Sequence, residues 1–319
     1  MVVSSGPRQT GGHGGRGASP SHPTAHLDKA HITPMSDTAI FQAPGSGGGL
    51  LDVFRRRYLL RLLVHKELKA RYHGSVLGML WSYIKPAVQF GVFYFVIGVF
   101  FKMNNAVDSY AVYLFSGIIA MNFFSEAFGN ATRSITGNWA LVKKIYLPRE
   151  LFPVASVFVS FTHFIPQVLV LIVGCLVTGW HPTIWQLAAG VGGFLVLAVF
   201  ALGLGLIFGA LNVVFRDFEN VVDLILMVAT WGSPVIYTWT AVRDALGDGP
   251  LWWFYQCNPL TNVVEIFHWT FWYPTTDGQA PMPTQMPTFV AIAAGVSVVV
   301  LGIGQLVFRR FDGRFAQEL

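Results

Sequence analysis

The sequence predicts an all-α integral membrane protein with six transmembrane helices, an N-terminal interfacial amphipathic helix, and re-entrant outer helices between spans five and six. Three observations predict this fold class. Hydrophobic residues make up 53% of the 319 residues and charged residues only 12%, as in multi-pass membrane proteins. Residues 151–215 contain no Asp, Glu, Lys or Arg. The Lys and Arg residues elsewhere follow a membrane topology.

The uncharged stretch 151–215 predicts a helical hairpin. One transmembrane helix needs about 20 apolar residues, so this stretch is long enough for two passes around a turn at residues 179–182. Other uncharged stretches complete the topology, and the six predicted spans are residues 86–101, 110–131, 151–178, 185–215, 224–239 and 289–308.

The basic residues predict the orientation. The formal net charge is +5, but 16 of the Lys and Arg residues after residue 50 lie on the side that carries both termini, and only Lys102 and Arg243 lie on the other. By the positive-inside rule, both termini are cytoplasmic. The charge therefore reflects topology rather than a nucleic-acid partner.

Residues 1–50 and 51–319 form two regions. Gly, Ser, Pro and His dominate residues 1–50 and no apolar periodicity is present, which predicts a disordered cytoplasmic tail. Residues 51–319 form the transmembrane domain. Cys175 and Cys257 have neither metal-ligand nor redox spacing, so we predict no metal site.

The domain begins with an amphipathic helix. Leu51, Phe54, Tyr58 and Leu62 follow helical spacing and alternate with basic residues. This pattern favours a helix in the membrane interface whose basic side chains reach lipid phosphates. Ordinary positive-inside charge that binds nothing specific is the alternative interpretation.

Residues 71–86 predict an elbow between this helix and span one. Gly74 and Gly78 permit the turn and close packing, Trp81 suits headgroup depth, and Pro86 fits near a helix start.

Two further cytoplasmic segments carry the sequence signals of a helix start. Asn138 is placed to cap a short helix that ends with Lys143 and Lys144 before Pro148. In residues 216–220, Asp217 is predicted to cap the next helix, with an acidic residue in its first turn.

The outer segment, residues 231–273, holds six of the ten tryptophans. Asn258-Pro259 interrupts a stretch too apolar for an ordinary loop, which predicts two short helices dipping back into the protein. Two interpretations fit the aromatic residues: a belt at the membrane surface, or a carbohydrate-lined exit in which rings stack on sugars.

Three features inside the spans stand out. Glu126 is an intramembrane acid, and such residues are functional candidates, although pairing or snorkelling explains it equally well. His163 is interpreted as a hydrogen-bonded side chain between helices. Gly203, Gly205 and Gly209 predict tight helix packing.

Five segments in order, residues 71–86, 138–150, 216–220, 233–237 and 258–260, resemble the ABC-2 family of exporter membrane subunits. Among them the chain is most similar to the Wzm polysaccharide exporters that serve O-antigens, teichoic acids and cell-wall galactan. The resemblance covers residues 51–319.

The resemblance implies a permease of the bacterial inner (plasma) membrane. It implies a homodimer bound to two copies of an ABC nucleotide-binding ATPase, which holds ATP and Mg, with no cofactor in this chain. The substrate that the resemblance implies is a polyprenyl-pyrophosphate-linked glycan. The candidate pyrophosphate entrance consists of Arg55, Arg56, Arg57, Arg61, Arg71 and Lys85. The coupling residues are Asn138, Lys143, Lys144 and Arg149. The candidate glycan exit consists of Trp231, Tyr237, Trp252, Trp253 and Tyr255.

The sequence lacks a G-x-x-x-x-G-K-[ST] phosphate loop, an H-E-x-x-H zinc motif and a G-x-S-x-G nucleophile elbow, so we expect no enzymatic activity and ATP hydrolysis in a separate subunit. An ABC-2 exporter of a drug or small lipid is one alternative. A membrane-embedded glycosyl or phosphate transferase is another, but its acidic cluster would have to be Asp217, Glu219 and Asp223.

Overall fold

The structure is a computed structural model that describes residues 49–144, 147–283, 285–313 and 315. Of the predicted tail, only Gly49 and Leu50 fall within these residues. The described chain is helical and contains no strand, as predicted. The α-helices are α1 Leu50–Arg55, α2 Arg57–Tyr72, α3 Trp81–Phe93, α4 Met103–Ala106, α5 Tyr110–Gly137, α6 Trp139–Lys144, α7 Leu151–Val177, α8 Ile184–Val214, α9 Phe218–Gly232, α10 Trp239–Leu246, α11 Pro250–Gln256, α12 Pro259–Phe267 and α13 Met286–Asp312.

Within the described residues, five helical segments have the length and apolar composition of a membrane span. They are Gly78–Phe100, which contains α3, and the helices α5, α7, α8 and α13. They match the predicted spans one to four and six, and the α7–α8 hairpin is confirmed. The start of span one was misplaced, because Pro86 lies inside α3 rather than at its beginning.

The predicted fifth span differs from its prediction. Its helix, α9, has 15 residues and ends before Pro234, because a residue that precedes proline is pushed into extended backbone. The region runs alongside α5 from near one end of that helix to near the other. Asp223 accepts from Arg133 near one end of α5 (2.7 Å), and Pro234 accepts at its carbonyl from the Tyr113 hydroxyl near the other (3.1 Å).

Glycines set how closely the spans pack. A Cβ on Gly203 would lie 2.7 Å from the backbone nitrogen of Leu301 in α13, and one on Gly205 would collide with Ala131 of α5. Helices in lipid associate through such close backbone approach. The prediction of tight packing at these glycines is confirmed. α5 is the most buried span and packs against α7 and α8, and α13 packs on α8.

The outer helices break where predicted. α11 and α12 meet at Asn258, whose side chain accepts from the Leu260 amide (3.1 Å) and caps α12. α12 packs against α5, α8 and α13 and is buried throughout. After it, His268 stacks on Tyr113 with ring centroids 3.8 Å apart, so this segment forms part of the protein core.

Contacts between loops define two ends of the bundle. At the first, which we call the basic end, Arg149 pairs with Asp312 (3.2 Å), and α1, α2 and α6 lie there. At the second, the aromatic end, the Trp272 indole donates to the Asp108 carbonyl (2.7 Å) and the Trp180 indole to the Thr270 carbonyl (3.1 Å).

The N-terminal helices have two apolar faces. Val53, Leu60 and Leu63 are buried against the bundle. The predicted apolar residues point the other way, since Leu51, Phe54, Tyr58 and Leu62 are all more than half exposed. A helix with one apolar face on the protein and a second facing outward is suited to the membrane interface.

Candidate functional site

A cavity of about 730 Å³ lies between the elbow, α3, α5 and α7. Most of the residues that line it are polar or charged, although they lie among membrane spans. The lining residues are Arg71, Tyr72, Ser75, Trp81, Ser82, Lys85, Pro86, Gln89, Asn122, Ser125, Glu126, His163 and Gln167. A volume in this range is typical of sites for small ligands or ligand headgroups.

One carboxylate joins three elements at the cavity wall. Oε1 of Glu126 in α5 accepts from the Arg71 guanidinium at the end of α2. The same oxygen lies 2.6 Å from Nδ1 of His163 in α7. Arg71 Nη1 is 3.1 Å from that nitrogen. Glu126 is therefore the meeting point of α2, α5 and α7.

The imidazole of His163 is fixed from its other side. The ring is only 3% exposed, and Nε2 lies 2.8 Å from the Tyr72 hydroxyl, which in turn lies 2.8 Å from the Ser82 hydroxyl. All these groups are satisfied when Nδ1 donates to Glu126, Tyr72 donates to Nε2 and Ser82 donates to Tyr72. Glu126 and Tyr72 thus hold the imidazole from both sides, and its interpretation as a hydrogen-bonded side chain between helices is confirmed.

The elbow carries Arg71 into the bundle. α2 packs along α7, and the chain then turns at Gly74 and Gly78, whose φ angles are +74° and +49°. L-residues with side chains rarely adopt these angles, so the predicted role of both glycines in the turn is confirmed. The predicted close packing is wrong, because a Cβ at either position would meet no atom within 4 Å. Glu126 lies eleven residues before the end of α5, or about 16 Å at 1.5 Å per residue. The contact is therefore well inside the bundle.

A second cavity, of about 370 Å³, continues from Arg71 toward the basic end. Lys66, Arg133 and Asn138 line it together with Arg71. Asn130 also lines it, and its buried Nδ2 has no hydrogen-bond partner among the described residues. Arg71 is thus shared by two neighbouring polar cavities with a positively charged lining.

The structure divides the predicted entrance residues. Arg71 and Lys85 line the 730 Å³ cavity. The other four, Arg55, Arg56, Arg57 and Arg61, are exposed on α1, α2 and the residue between them and do not line it. Arg56 pairs with Asp52 of α1 at 3.1 Å.

Sequence reasoning singled out Glu126 and His163 without assigning them to the entrance. The signal was an acid inside a span. Its partner Arg71 lies 55 residues earlier and His163 37 residues later, so only the folded chain shows that the three side chains meet.

The family profile of the ABC-2 type transporter matches residues 58–272, which is more than half of the chain. The chain belongs to the ABC-2 type transporter family. It is therefore a multi-pass membrane protein and the membrane subunit of a transporter.

Several relatives are named as polysaccharide exporters. The chain is 26% identical to the O-antigen export system permease protein RfbA of Klebsiella pneumoniae, over 82% of this chain and 95% of the relative. It is 26% identical to RfbA of Myxococcus xanthus, over 84% and 98%. It is 21% identical to the polysialic acid transport protein KpsM of Escherichia coli, over 80% and 93%.

The segment that resembles the ABC-2 coupling helix is α6 at the basic end. Lys143 and Lys144 lie in its last turn, as predicted, and are exposed. Asn138 precedes the helix, but the side chain does not cap it. Instead it accepts from Lys66 and donates to the Ser134 carbonyl (2.9 Å).

Arg149, the fourth predicted coupling residue, is engaged within the chain. Its guanidinium pairs with Asp312 and lies over the Phe315 ring, 5.6 Å from the centroid. It joins the start of α7 to the end of α13.

The ABC-2 motif at residues 216–220 begins α9. Asp217 occupies the cap position, but its side chain makes no capping hydrogen bond, which corrects the prediction. Glu219 lies in the first turn as predicted and accepts from Asn212 (2.9 Å). It also lies 3.5 Å from Arg133. Glu219 therefore connects α9 with α8 and α5.

The predicted exit residues lie at the aromatic end but do not share one surface. Trp231 and Trp253 are 59% and 50% exposed. Trp252 is buried and stacks on Tyr255, with ring centroids 6.0 Å apart. Tyr237 is half-buried and donates to the Trp231 carbonyl (2.9 Å).

A pocket of about 350 Å³ also opens at the aromatic end. Trp239 and Trp272 line it, and each indole N–H donates to a backbone carbonyl of a neighbouring loop. Asp108 and Gln279 add a carboxylate and an amide. The sequence interpretation placed the exit elsewhere and did not identify this pocket.

Proposed function

We propose that this chain is the membrane-spanning permease subunit of an ATP-driven exporter of polysaccharide linked to a polyprenyl pyrophosphate. It would carry the glycan from the cytoplasmic to the outer side of the bacterial inner membrane. Family membership and the names of relatives that align over nearly their whole length support polysaccharide export. The observation that carries the proposal is the cationic cavity at Arg71 and Lys85, deep among spans.

The cavity suits the pyrophosphate headgroup of such a lipid. A guanidinium has five N–H donors and binds phosphate oxygens in pairs, and a lysine adds a point charge. The apolar outer faces of α3 and α7 leave room for a polyprenyl chain in the surrounding lipid, because Val88, Val92 and Val173 are more than half exposed. We therefore assign the pyrophosphate to Arg71 and Lys85, and the charge of Arg55, Arg56, Arg57 and Arg61 to topology.

We further propose six passes, with α9 as the fifth, and both termini in the cytoplasm, so that the basic end is cytoplasmic. The distribution of Lys and Arg supports this orientation. The resemblance to ABC-2 exporters supports a homodimer with two ATPase subunits that bind ATP and Mg. The exposed lysines of α6 offer those subunits a contact.

A reconstitution experiment tests the proposed function. The purified chain in nanodiscs is expected to hydrolyse no ATP above background, since its sequence contains no phosphate loop. Adding the partner ATPase should produce hydrolysis that rises with a polyprenyl-pyrophosphate glycan. Hydrolysis by the chain alone, or stimulation by small drugs but not by the glycan lipid, would refute the proposal.

The coupling proposal predicts an effect of charge reversal on α6. The double variant Lys143→Glu, Lys144→Glu should lose about half or more of export-coupled hydrolysis. Both side chains face outward at the basic end, and glutamates there would repel the acidic side chains of an ATPase surface that binds the lysines. Insertion should persist. Cysteine crosslinking from residues 139–144 to the ATPase measures the contact directly.

Lys102→Glu is the control for charge reversal, since Lys102 is exposed at the aromatic end. Equal loss in both variants would show a general effect of charge. Failure of every α6 cysteine to crosslink would place the contact on another segment.

The aromatic end is proposed as the glycan exit, and exposed rings there should bind sugar. Trp253→Leu keeps the site apolar but removes a stacking face worth about 0.5–1.5 kcal/mol, so export should fall roughly two- to tenfold. Trp185→Leu is the matched control, because Trp185 is 75% exposed at the same end. Equal export by the two variants would favour an aromatic membrane belt.

A further inference from the structure

We propose that Glu126 is a built-in counter-ion of Arg71, whose place the anionic headgroup of the substrate takes when it enters the cavity. The proposal rests on the proposed function, and it gives Glu126 a role as a positioning residue that acts through Arg71. Nothing in the sequence pattern or the family match assigns this role.

The positive charge of the Arg71 guanidinium is already balanced by a carboxylate. Oε1 of Glu126 accepts a hydrogen bond from the Arg71 guanidinium and lies 2.6 Å from Nδ1 of His163. The Arg71 and Glu126 side chains are 37% and 25% exposed, so they form the boundary between the bundle and the cavity. His163 is buried behind them and cannot move without disturbing Tyr72.

Lys85 gives the cavity a second cationic side chain. Lys85 lines the same cavity and forms no salt bridge among the described residues. Arg71 and Lys85 bring two positive charges to the wall and Glu126 one negative charge, which leaves a net positive charge. An anion that contacts Lys85 is thus drawn toward the Arg71–Glu126 pair.

An anion in the cavity and the Glu126 carboxylate compete for Arg71. Both are acceptors for the same Arg71 donors, and like charges in a partly buried site repel each other strongly. A phosphate that binds Arg71 must therefore weaken or open its contact with Glu126. By linkage, the carboxylate must weaken phosphate binding to the same extent.

The consequence reaches the N-terminal helix. Arg71 ends α2 next to the elbow glycines, whereas Glu126 and His163 belong to α5 and α7. Opening the pair removes the charged contact that ties the elbow to α5. Binding of an anion in the cavity would then change the contacts of α2, which lies at the basic end where we place the ATPase.

The test uses the chain in nanodiscs with radiolabelled geranylgeranyl pyrophosphate as the probe. Glu126→Gln removes the competing charge but keeps the side-chain size, so the probe should bind on the order of tenfold more tightly than to the wild type. Hydrogen exchange at residues 73–78 should already be raised without probe. A purely structural role predicts weaker binding, so the sign of the change is decisive.

Asp223→Asn is the matched control, because Asp223 also pairs with an arginine of α5, Arg133, at 2.7 Å. It should leave probe affinity unchanged. Glu126→Asp, which retracts the carboxylate by one methylene, should shift affinity in the same direction by less. It also serves if Glu126→Gln does not insert.

The outcomes separate the two proposals. Unchanged or weaker probe binding by both Glu126 variants, with the control intact, overturns the counter-ion role and leaves the export function standing. Tighter binding by Glu126→Gln with no stimulation of the assembled transporter by a glycan lipid supports the counter-ion role and refutes the function. Absence of probe binding by the wild type overturns both.

Discussion

Replacing Arg71 with lysine is expected to abolish most of the stimulation of ATP hydrolysis by lipid-linked glycan while insertion stays normal. Positive-inside bias depends on Lys and Arg alike, so the exchange preserves topology. It removes the planar fork that binds two phosphate oxygens at once. A hydrogen bond to a charged group contributes about 1.5–3 kcal/mol, so half-saturation should rise roughly 10- to 100-fold. Titration of the assembled transporter with the glycan lipid measures this shift.

Two companion variants locate the effect. Arg57→Lys makes the same exchange on α2 outside the cavity, and Arg243→Lys makes it at the exposed α10. Both should titrate like the wild type. If Arg57→Lys lost stimulation as strongly as Arg71→Lys, recognition would extend along the whole basic surface of α1 and α2. If Arg71→Lys titrated like the wild type, bidentate binding of the pyrophosphate by Arg71 would be refuted.

Local chemistry explains which parts of the fold were predictable. The hairpin of α7 and α8 follows from an uncharged stretch of two span lengths. The break between α11 and α12 follows from Asn258, which caps, and Pro259, which cannot continue a helix. Gly74 and Gly78 identified the elbow because their φ angles are disfavoured for other residues. Each of these signals lies within a few residues of its effect.

Capping was predicted less well, because tertiary contacts competed for the same side chains. Asn138 stands at the start of α6, yet Lys66 of α2 and the Ser134 carbonyl occupy its amide. Asp217 stands at the start of α9, but its side chain makes no capping bond. A cap signal identifies where a helix starts more reliably than which bond the side chain makes.

The candidate site was only partly visible because its parts are far apart in the chain. Arg71 and Lys85 were predicted from charge near span one. Glu126 and His163 stood out as polar groups inside spans, but their pairing required the relative rotation of α5 and α7 about their axes. Periodicity does not determine that rotation. The same lack of long-range information led to Trp252 being grouped with exposed rings, although it is buried.

The packing of α8 against α13 leads to the second large expected effect. Gly203→Ala should lower the thermal stability of the purified chain, since the added methyl would lie 2.7 Å from the Leu301 nitrogen and 2.9 Å from its Cα. Backbone cannot rotate away as a side chain can, so the helices must separate. Overpacking costs about 1–3 kcal/mol, which corresponds to roughly 2–12 °C in Tm for a domain of this size. Thermal unfolding in detergent measures it.

Gly192→Ala provides the opposite control on the same helix. A Cβ at Gly192 meets no atom within 4 Å, and alanine favours helix over glycine by about 1 kcal/mol. This variant should therefore be as stable as the wild type or more stable. The two exchanges add the same methyl to the same helix, so a difference in sign isolates the α8–α13 contact. Equal stability of the two variants would mean that α13 can move away from α8 at little cost, and that close glycine packing does not hold the last span in place.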